Sequence, residues 1–431
     1  MGIPTAPMVG DIFQNYLMTY DMVYNTGMPL RFTYLPMPIA GMPPEVHKAY
    51  IEGEDPTTNM PVMQEVIEAL TKPLTASEQI TETPPQAAPQ PRLLDPDTEE
   101  NLQQLFIKKD WTDGLPIILP TEARVAAMLK GSKHKPDEVV VTVRGRSVAV
   151  EKVAICAVMA GAKPEYLPVI LAIAASGQIT FGSTTSMSKM VVVNGPIRKE
   201  IDMNSGMGAL GPFNQANAVI GRAVTIMCKA LGNSHLGGSY VGSLGSNIQY
   251  NNMCFAENEE RLPQGWNSTS VQMGFKPTDS VVTLFNGWSY ISSVGEMSAY
   301  PAHMWIRDYM RALSGFGSIE TLIIDPLGAK HLKEVEGFGT KEMLHQWLSE
   351  NVEIPARQYW GNGVVATFNL PLAYQGLEPY STWQKVPPDT LIKPFNNPKN
   401  INTVVVGGGT QTIWFMTDMR LVKSVSVDAW R

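Results

Sequence analysis

Short blocks of Val, Ile and Leu recur along the chain after residue 189, and each block ends in residues that favour tight turns. The blocks are MVVVNG before Pro196, VVTLFNG before Trp288, TLIIDP before Leu327 and NTVVVGGG before Thr410. Continuous apolar runs of this length are typical of strands buried on both faces. Between them, segments such as FNQANAVIGRAVTIMCKALG place apolar residues at helical spacing. The pattern therefore predicts an α/β fold.

The first 75 residues show the same alternation on a smaller scale. Residues 3–9 and 30–35 are extended runs, and helices are predicted over residues 11–24 and within NMPVMQEVIEALTKPL. Strand, helix, strand and helix in this order predict a parallel sheet. A sheet of two parallel strands buries little, because parallel sheets usually have more strands and both faces covered. We therefore expect residues 1–75 to be a partial α/β domain that a partner subunit completes.

The remaining chain divides at a proline-rich segment. Residues 76–100 carry five prolines and almost no bulky apolar residues before Leu93, which predicts an extended linker. Residues 101–431 are predicted to form a larger mixed α/β domain with glycine-rich ligand loops. Within it, Thr121 is a candidate N-cap for the helix TEARVAAMLKG, and a Gly-Thr cap precedes the helix GTKEMLHQWLSENV.

Composition narrows the possible functions. The 431 residues are 44% hydrophobic and 17% charged, as expected for a chain with large cores. The net charge is −7 and no basic block stands out, so no nucleic-acid partner is expected. No apolar segment reaches the ~20 residues of a membrane span. Three scattered cysteines and the lack of a signal-peptide pattern at the N-terminus predict a cytoplasmic protein without membrane attachment.

The segment from Asn194 to the start of the long helix is the first candidate site. The strand ends in Asn194-Gly195-Pro196, and the loop NSGMGALGP comes next. Glycines allow a close approach of backbone to ligand, and a helix N-terminus offers free N–H groups to an anion. The predicted substrate-binding residues are Asn194, Asn204, Ser205, Gly206, Gly208 and Asn258. A tight strand-to-helix connection explains the same glycines without a ligand.

The second candidate site is the segment GNSHLGGSYVGSLGSNIQYNNMCFAENEE. Glu257, His235 and Cys254 are its predicted catalytic residues. Cys254 is a weak nucleophile candidate, because nearby acidic side chains raise a thiol pKa. Glu257 and Asn258 are interpreted as groups that hydrogen-bond or relay a proton. A structural histidine and a solvated turn are the alternatives. We expect no metal, because His235 has no second ligand at metal spacing. We also expect no cofactor.

Further strand ends carry polar or glycine residues. Asp325 follows TLII, and Gly407, Gly408 and Gly409 follow NTVVV. Open α/β sheets keep their sites at the carboxyl ends of strands. No dinucleotide fingerprint, phosphate loop, nucleophile elbow or paired-cysteine motif is found. The residues alone therefore predict an enzyme-like α/β protein without a defined reaction.

Several blocks resemble the UGSC-type family of bacterial (seleno)proteins, which is named for a Sec/Cys-Gly-Ser-Cys motif. The blocks are DGLPIILPTEARVAAMLKG, VEKVAICAVMAGAKPEYLPVILA, VVNGPIRKEIDMNSGMGALGPFNQANAVIGRA and MCFAENEE. The opening GIPTAPMVGDIFQN with GMPLRFTYLPMPIAG resembles the family's segment immediately after that motif. This first domain is also similar to the selenoprotein subunit of glycine and betaine reductases. The resemblance spans residues 1 to about 420 except the linker.

The Sec/Cys-Gly-Ser-Cys motif itself is absent, and none of the three cysteines stands in that context. The resemblance therefore implies that a separate Cys- or Sec-containing subunit carries the thiol. It implies a hetero-oligomer that cleaves or forms a carbon–heteroatom bond in a small, carboxylate-bearing substrate. Two other classes stay open: a self-contained acid–base hydratase or lyase, and a non-catalytic scaffold subunit.

Overall fold

The structure is a computed structural model that describes most of the chain. It describes residues 5–14, 30–39, 42–76, 78–79, 92–182, 184–234, 236, 240–288, 290–293 and 299–431. Parts of the predicted strand 3–9, helix 11–24 and linker 76–100 lie outside these residues. Helices and strands alternate as expected, so the predicted α/β class is confirmed.

Fourteen strands and fifteen helices are described. The strands are β1 Met8–Gly10, β2 Thr33–Leu35, β3 Val139–Val143, β4 Arg146–Ala149, β5 Ser188–Asn194, β6 Cys254–Ala256, β7 Val281–Gly287, β8 Tyr290–Ser292, β9 Glu320–Ile324, β10 Ile354–Pro355, β11 Leu391–Ile392, β12 Ile401–Val405, β13 Trp414–Thr417 and β14 Arg420–Ser426. The helices are α1 Pro44–Glu52, α2 Val62–Thr71, α3 Glu99–Lys108, α4 Glu122–Leu129, α5 Val150–Ala160, α6 Leu167–Ala175, α7 Ile197–Glu200, α8 Gln215–Ala230, α9 Thr269–Gln272, α10 Ala302–Met310, α11 Pro326–Glu334, α12 Lys341–Asn351, α13 Ala356–Trp360, α14 Gly363–Tyr374 and α15 Tyr380–Trp383.

The chain forms two compact units. The first contains residues 1–96, 236–239 and 356–388, and the second contains residues 97–235, 240–355 and 389–431. The sequence pattern places all residues after 100 in one domain. The structure instead groups α13, α14 and α15 with the N-terminal segment.

In the first unit, β1 and β2 pair in parallel, with Met8 opposite Thr33, and the two strands form a two-stranded sheet. The predicted parallel pairing is therefore confirmed. Asp55, in the turn between α1 and α2, is fully buried and accepts hydrogen bonds from the backbone N–H groups of Tyr34 and Thr57. This carboxylate ties the second strand to the helical hairpin.

The second unit contains two four-stranded sheets. One has the strand order β14-β7-β5-β6, and the other has the order β12-β9-β13-β8. β5 and β6 are parallel, as are β9 and β12, whereas the remaining neighbours in both sheets are antiparallel. Each sheet therefore contributes one parallel pair.

Side-chain alternation along these strands defines four layers. Because successive side chains point to opposite faces of a sheet, a buried strand contributes side chains to two different cores. On β5, Val191 and Val193 pack with α5, α6 and α8, whereas Met190 and Val192 join a cluster that also contains residues of the second sheet. The other face of that sheet packs against α10, α11 and α12. The unit is thus helices, sheet, sheet and helices.

The most apolar helix, α6, lies inside the first of these cores. All of its residues from Leu167 to Ala174 are buried. In the described part of the chain, no helix combines the length and the hydropathy needed to cross a membrane.

Candidate functional site

The carboxyl ends of the two parallel strand pairs meet in the second unit. The N–H of Glu257, after β6, donates to the carbonyl of Val193 on β5, and the N–H of Asn258 donates to Val405 on β12 over 2.8 Å. Val406, in turn, donates to Ile324 at the end of β9 over 3.0 Å. Residues 194–198, 204–209, 257–261, 325–327 and 407–409 therefore form one group, which we call the carboxyl-end cluster.

Glu257 forms the buried floor of this cluster. Its Oε1 accepts a 3.0 Å hydrogen bond from the Lys341 ammonium, and both side chains have no solvent exposure. Its Oε2 accepts from Asn194 Nδ2 at 2.8 Å and from the backbone N–H of Thr269 at 2.7 Å. Three other segments of the chain therefore converge on this one carboxylate.

The environment keeps Glu257 charged. Burial by itself raises the pKa of this carboxyl, but the Lys341 charge and the hydrogen bonds from Thr269, Asn194 and Lys341 outweigh it, so the pKa is lowered. Two buried atoms beside it, Asn194 Oδ1 and Thr269 Oγ1, have no hydrogen-bond partner among the described residues. Unsatisfied buried polar groups are costly and are found more often at functional sites than elsewhere.

Arg198, on the short helix α7, holds the acidic segment that follows Glu257. This largely buried guanidinium donates to the carbonyl of Glu257 at 2.8 Å and to Glu259 at 2.7 Å. Its hydrogen bonds to Glu260 lower the pKa of that carboxyl to about 2, with a smaller contribution from Lys199. The loop therefore carries fixed charges of both signs.

The glycine-rich loop 204–209 is held in place from inside by Asn217 on α8. Asn217 Oδ1 accepts from the N–H of Asn204, and its Nδ2 donates to the carbonyls of Asn204 and Ala209. Among the described residues, the Asn204 side chain hydrogen-bonds within its own loop, accepting from the N–H of Gly206 and donating to the carbonyl of Met207. Asn204 therefore shapes the loop, and both ends of its side-chain amide are engaged there.

Gly407 connects that loop to the acidic segment. Its N–H donates to the carbonyl of Ser205 at 3.0 Å, and its carbonyl accepts from Asn258 Nδ2 at 3.0 Å. Its φ of +128° is a conformation that residues with a side chain rarely adopt, and an added Cβ would lie 2.5 Å from Asp325 Oδ2. Only glycine fits here without rearrangement. The backbone of Gly407 therefore hydrogen-bonds to both of the predicted binding residues Ser205 and Asn258.

None of the three cysteines is available as a thiolate. All three are free and buried. Burial raises the pKa of Cys156 and of Cys228 to about 12 and raises the pKa of Cys254 further, so each stays a neutral thiol at pH 7. His235 lies outside the described residues. Among the residues that the structure does describe, no group of His, Cys, Asp and Glu side chains could hold a metal ion.

Sequence reasoning missed three residues that build this site: Arg198, Asn217 and Lys341. Lys341 follows the helix cap Thr340 and is fully buried, although lysine side chains are almost never buried without a partner. The sequence carries one usable signal for Asn217, which lies three residues after the N-cap Asn214 on the helix that follows the glycine loop.

Comparisons with protein-family models, curated proteins and solved structures found no match to this chain.

Proposed function

We propose that this chain is a subunit of a heteromeric enzyme that depends on a thiol or selenol of a partner subunit. The enzyme cleaves or forms a carbon–heteroatom bond in a small, carboxylate-bearing substrate. The partner's thiolate attacks a substrate carbon and forms a C–S bond while the carbon–heteroatom bond breaks and the leaving group takes up a proton. Water then displaces the thiolate, so that one difficult step is divided into two easier ones. This chain supplies the carboxyl-end cluster, which binds and orients the substrate.

The state of the chain's own cysteines carries this proposal. A nucleophilic cysteine needs partial exposure and a lowered pKa. Cys156, Cys228 and Cys254 are buried, and the pKa of each is raised. If the reaction needs a thiolate, it has to come from another polypeptide.

The N-terminal unit is the surface that we assign to this partner. Its described sheet has two strands of three residues each, and so short a parallel pair leaves edge N–H and C=O groups for a further strand. The helix α2 also presents Met63, Ile67 and Leu70 to solvent at helical spacing. A partner that adds a strand and covers this apolar face would complete the unit.

The carboxyl-end cluster is suited to an anionic substrate. Arg261 is exposed and donates to the carbonyl of Gly408 at 2.6 Å, beside the loop that contains Ser205 and Gly206. A guanidinium next to glycine backbone suits recognition of a carboxylate. Because the Glu257 carboxylate is enclosed, we assign it the role of fixing Asn194 and Thr269 rather than of touching the substrate.

The proposal is tested by co-expressing this chain with a candidate partner that carries a Cys- or Sec-Gly-Ser-Cys segment. Native mass spectrometry measures the complex, and NMR follows a panel of small carboxylic acids for turnover. A stable heteromer whose turnover is abolished by alkylating the partner supports the proposal. Turnover by this chain alone favours the acid–base hydratase, and a heteromer whose activity is indifferent to Arg261→Ala favours a scaffold.

A further inference from the structure

Two large apolar side chains are exposed beside the carboxyl-end cluster. Met207, in the glycine-rich loop, is 70% exposed, and Phe213, which follows that loop, is 77% exposed. Single exposed apolar residues are common on protein surfaces and need no special explanation. These two lie close together at the edge of a polar site, and each is packed against glycine backbone.

The consecutive glycines Gly408 and Gly409 lie between Met207 and the Arg261 guanidinium. A Cβ added at Gly408 would lie 2.8 Å from Met207 Cβ, and a Cβ added at Gly409 would overlap the guanidinium. Arg261 Nη1 donates to the carbonyl of Gly408 at 2.6 Å. The two contacts at Gly408, added across that residue, place Met207 Cβ within about 9 Å of Arg261 Nη1. A cation and an exposed apolar side chain are therefore neighbours.

Two further glycines support the Phe213 ring. A Cβ added at Gly208 would lie 2.7 Å from Phe213 Cδ2, and one added at Gly211 would lie 3.0 Å from the same atom. The N–H of Gly211 donates to the carbonyl of Gly208 at 2.9 Å, which closes the turn beneath the ring. One side of the ring therefore rests against the turn while most of its surface faces solvent. Because Gly208 directly follows Met207, the two apolar side chains belong to one stretch of loop surface.

The extent of this surface favours a small molecule over a protein as its occupant. A stable protein–protein interface buries about 800 Å² on each partner, whereas two side chains of this size offer only about 300–500 Å². The neighbouring guanidinium is complementary to a carboxylate, which it binds through two parallel hydrogen bonds. The surface is therefore suited to a small acid that also carries an apolar group.

We propose that Met207 and Phe213 form an apolar subsite, which selects carboxylate substrates with an aromatic ring or an aliphatic chain of about six to eight carbons. The carboxylate binds Arg261, and the apolar part crosses Gly408 to contact Met207 and the Phe213 ring. A chain of this length covers the distance of about 9 Å between the guanidinium and Met207. Ligand sites typically combine apolar surface with a few polar groups that fix orientation. The inference rests on the proposed function, because it takes Arg261 as the group that binds the substrate carboxylate.

The test measures the binding of two acids to the full chain by ligand-observed NMR. Acetate probes the Arg261 contact alone, and 3-phenylpropionate adds the apolar group. We expect 3-phenylpropionate to bind at least ~10-fold more tightly than acetate. Phe213→Ala should remove this preference and leave acetate binding unchanged, whereas Arg261→Gln should weaken the binding of both acids. Leu244→Ala is the control and should change neither, because that 96% exposed side chain lies near the opposite end of β5.

Two results would overturn the apolar subsite: equal affinities for the two acids, or a preference that survives Phe213→Ala. In either case, acetate binding that depends on Arg261 would leave the proposed function intact. If neither acid binds through Arg261, the substrate site of the proposed function is wrong, and the subsite is wrong with it. If Phe213→Ala leaves both affinities unchanged but dissociates the heteromer in native mass spectrometry, this surface binds the partner subunit and the proposal fails.

Discussion

Lys341 Nζ lies 3.0 Å from Glu257 Oε1, and neither side chain is exposed to solvent. The pair joins the first turn of α12 to the segment after β6, and the same carboxylate accepts from Asn194 and Thr269. Removing charges from water is costly, and a buried pair recovers that cost only when further hydrogen bonds satisfy it. This pair has them, so we regard it as the element that fixes the floor of the site.

Breaking the Glu257–Lys341 pair from either side should destabilise the protein strongly. Lys341→Met leaves an unpaired buried carboxylate, and Glu257→Gln leaves an unpaired ammonium, so each should lower the free energy of unfolding by about 3–5 kcal/mol. The double variant should cost less than the sum, because it removes both charges and keeps an acceptor for Asn194 and Thr269. Urea denaturation measures all three.

A surface pair provides the control for that cycle. Lys330 and Glu334 are 3.7 Å apart, with side chains 63% and 56% exposed, and Lys330→Met should change stability by less than ~1 kcal/mol. Folding lowers the pKa of Glu257, so the charged carboxylate stabilises the folded protein. This stabilisation is complete above the pKa of a free glutamate side chain and is lost as the pH falls through the lowered pKa of Glu257 in the folded protein. Additive single effects, or equal costs for the buried and the surface pair, would contradict this assignment.

The loop contact at Gly408 should be sensitive to a single added carbon. A Cβ at Gly408 would lie 2.8–3.1 Å from three atoms of Met207, two of them backbone. Gly408→Ala should therefore push loop 204–209 away and cost about 1–3 kcal/mol. Gly182→Ala is the matched control, because a Cβ added there would have no atom of the described residues within 4 Å. Thermal unfolding that is equal in the two variants would show that the loops are not packed as described.

Asn217→Ala should loosen the glycine-rich loop without unfolding α8. The substitution leaves the N–H of Asn204 and the carbonyls of Asn204 and Ala209 without their partner, and each unsatisfied group costs about 1–3 kcal/mol. Hydrogen exchange of residues 204–209 should accelerate. Gln215→Ala, an exposed position on the same helix, is the comparison, and equal exchange rates in the two variants would refute the role of Asn217.

The segment that precedes Arg431 should be held more weakly at alkaline pH. His134 Nδ1 faces Glu138 Oε1 and Nε2 faces the carbonyl of Ala429, both at 2.8 Å, so only the imidazolium donates to both. The hydrogen bond to Glu138, followed by the one to Ala429, raises the pKa of His134. The stabilisation is therefore complete below about pH 6.5 and is lost as pH rises through the raised pKa.

His134→Gln measures this effect. The stability difference between the unmodified chain and the variant should be largest near pH 6 and should shrink toward about pH 9, where the imidazole is neutral. Urea midpoints across this range give the difference directly. A difference that does not change with pH would mean that the charge of His134 contributes nothing.

Local sequence patterns predicted much of the fold. Continuous Val and Ile runs predicted β5, β7, β9 and β12, and Thr121 caps α4 as expected, accepting from the N–H of Arg124. β13 and β14 were not predicted, because their Trp, Met, Lys and Ser content shows no clear two-residue period. The face-to-face stacking of two sheets depends on contacts between distant residues, such as Val192 and Val404 in one cluster, which no local pattern reveals.

The candidate site was only partly predictable for the same reason. Glycines and polar residues at strand ends predicted Asn194, Ser205 and Asn258 as substrate-binding residues, and the structure places all three in the carboxyl-end cluster. Their actual contacts run through Gly407, which is distant from Asn258 in the chain, and through Lys341. The sequence does not show which way the Lys341 side chain points, because its contact with Glu257 joins two segments that are far apart in the chain.

The most direct test of the account asks which polypeptide supplies the reactive thiol. A version of this chain with Cys156→Ala, Cys228→Ala and Cys254→Ala is co-purified with its Cys- or Sec-containing partner, and turnover of small carboxylic acids is followed before and after iodoacetamide treatment. The account predicts that the cysteine-free chain supports turnover in the complex, and that alkylation of the partner abolishes it. Turnover by the cysteine-free chain without any partner would contradict the account.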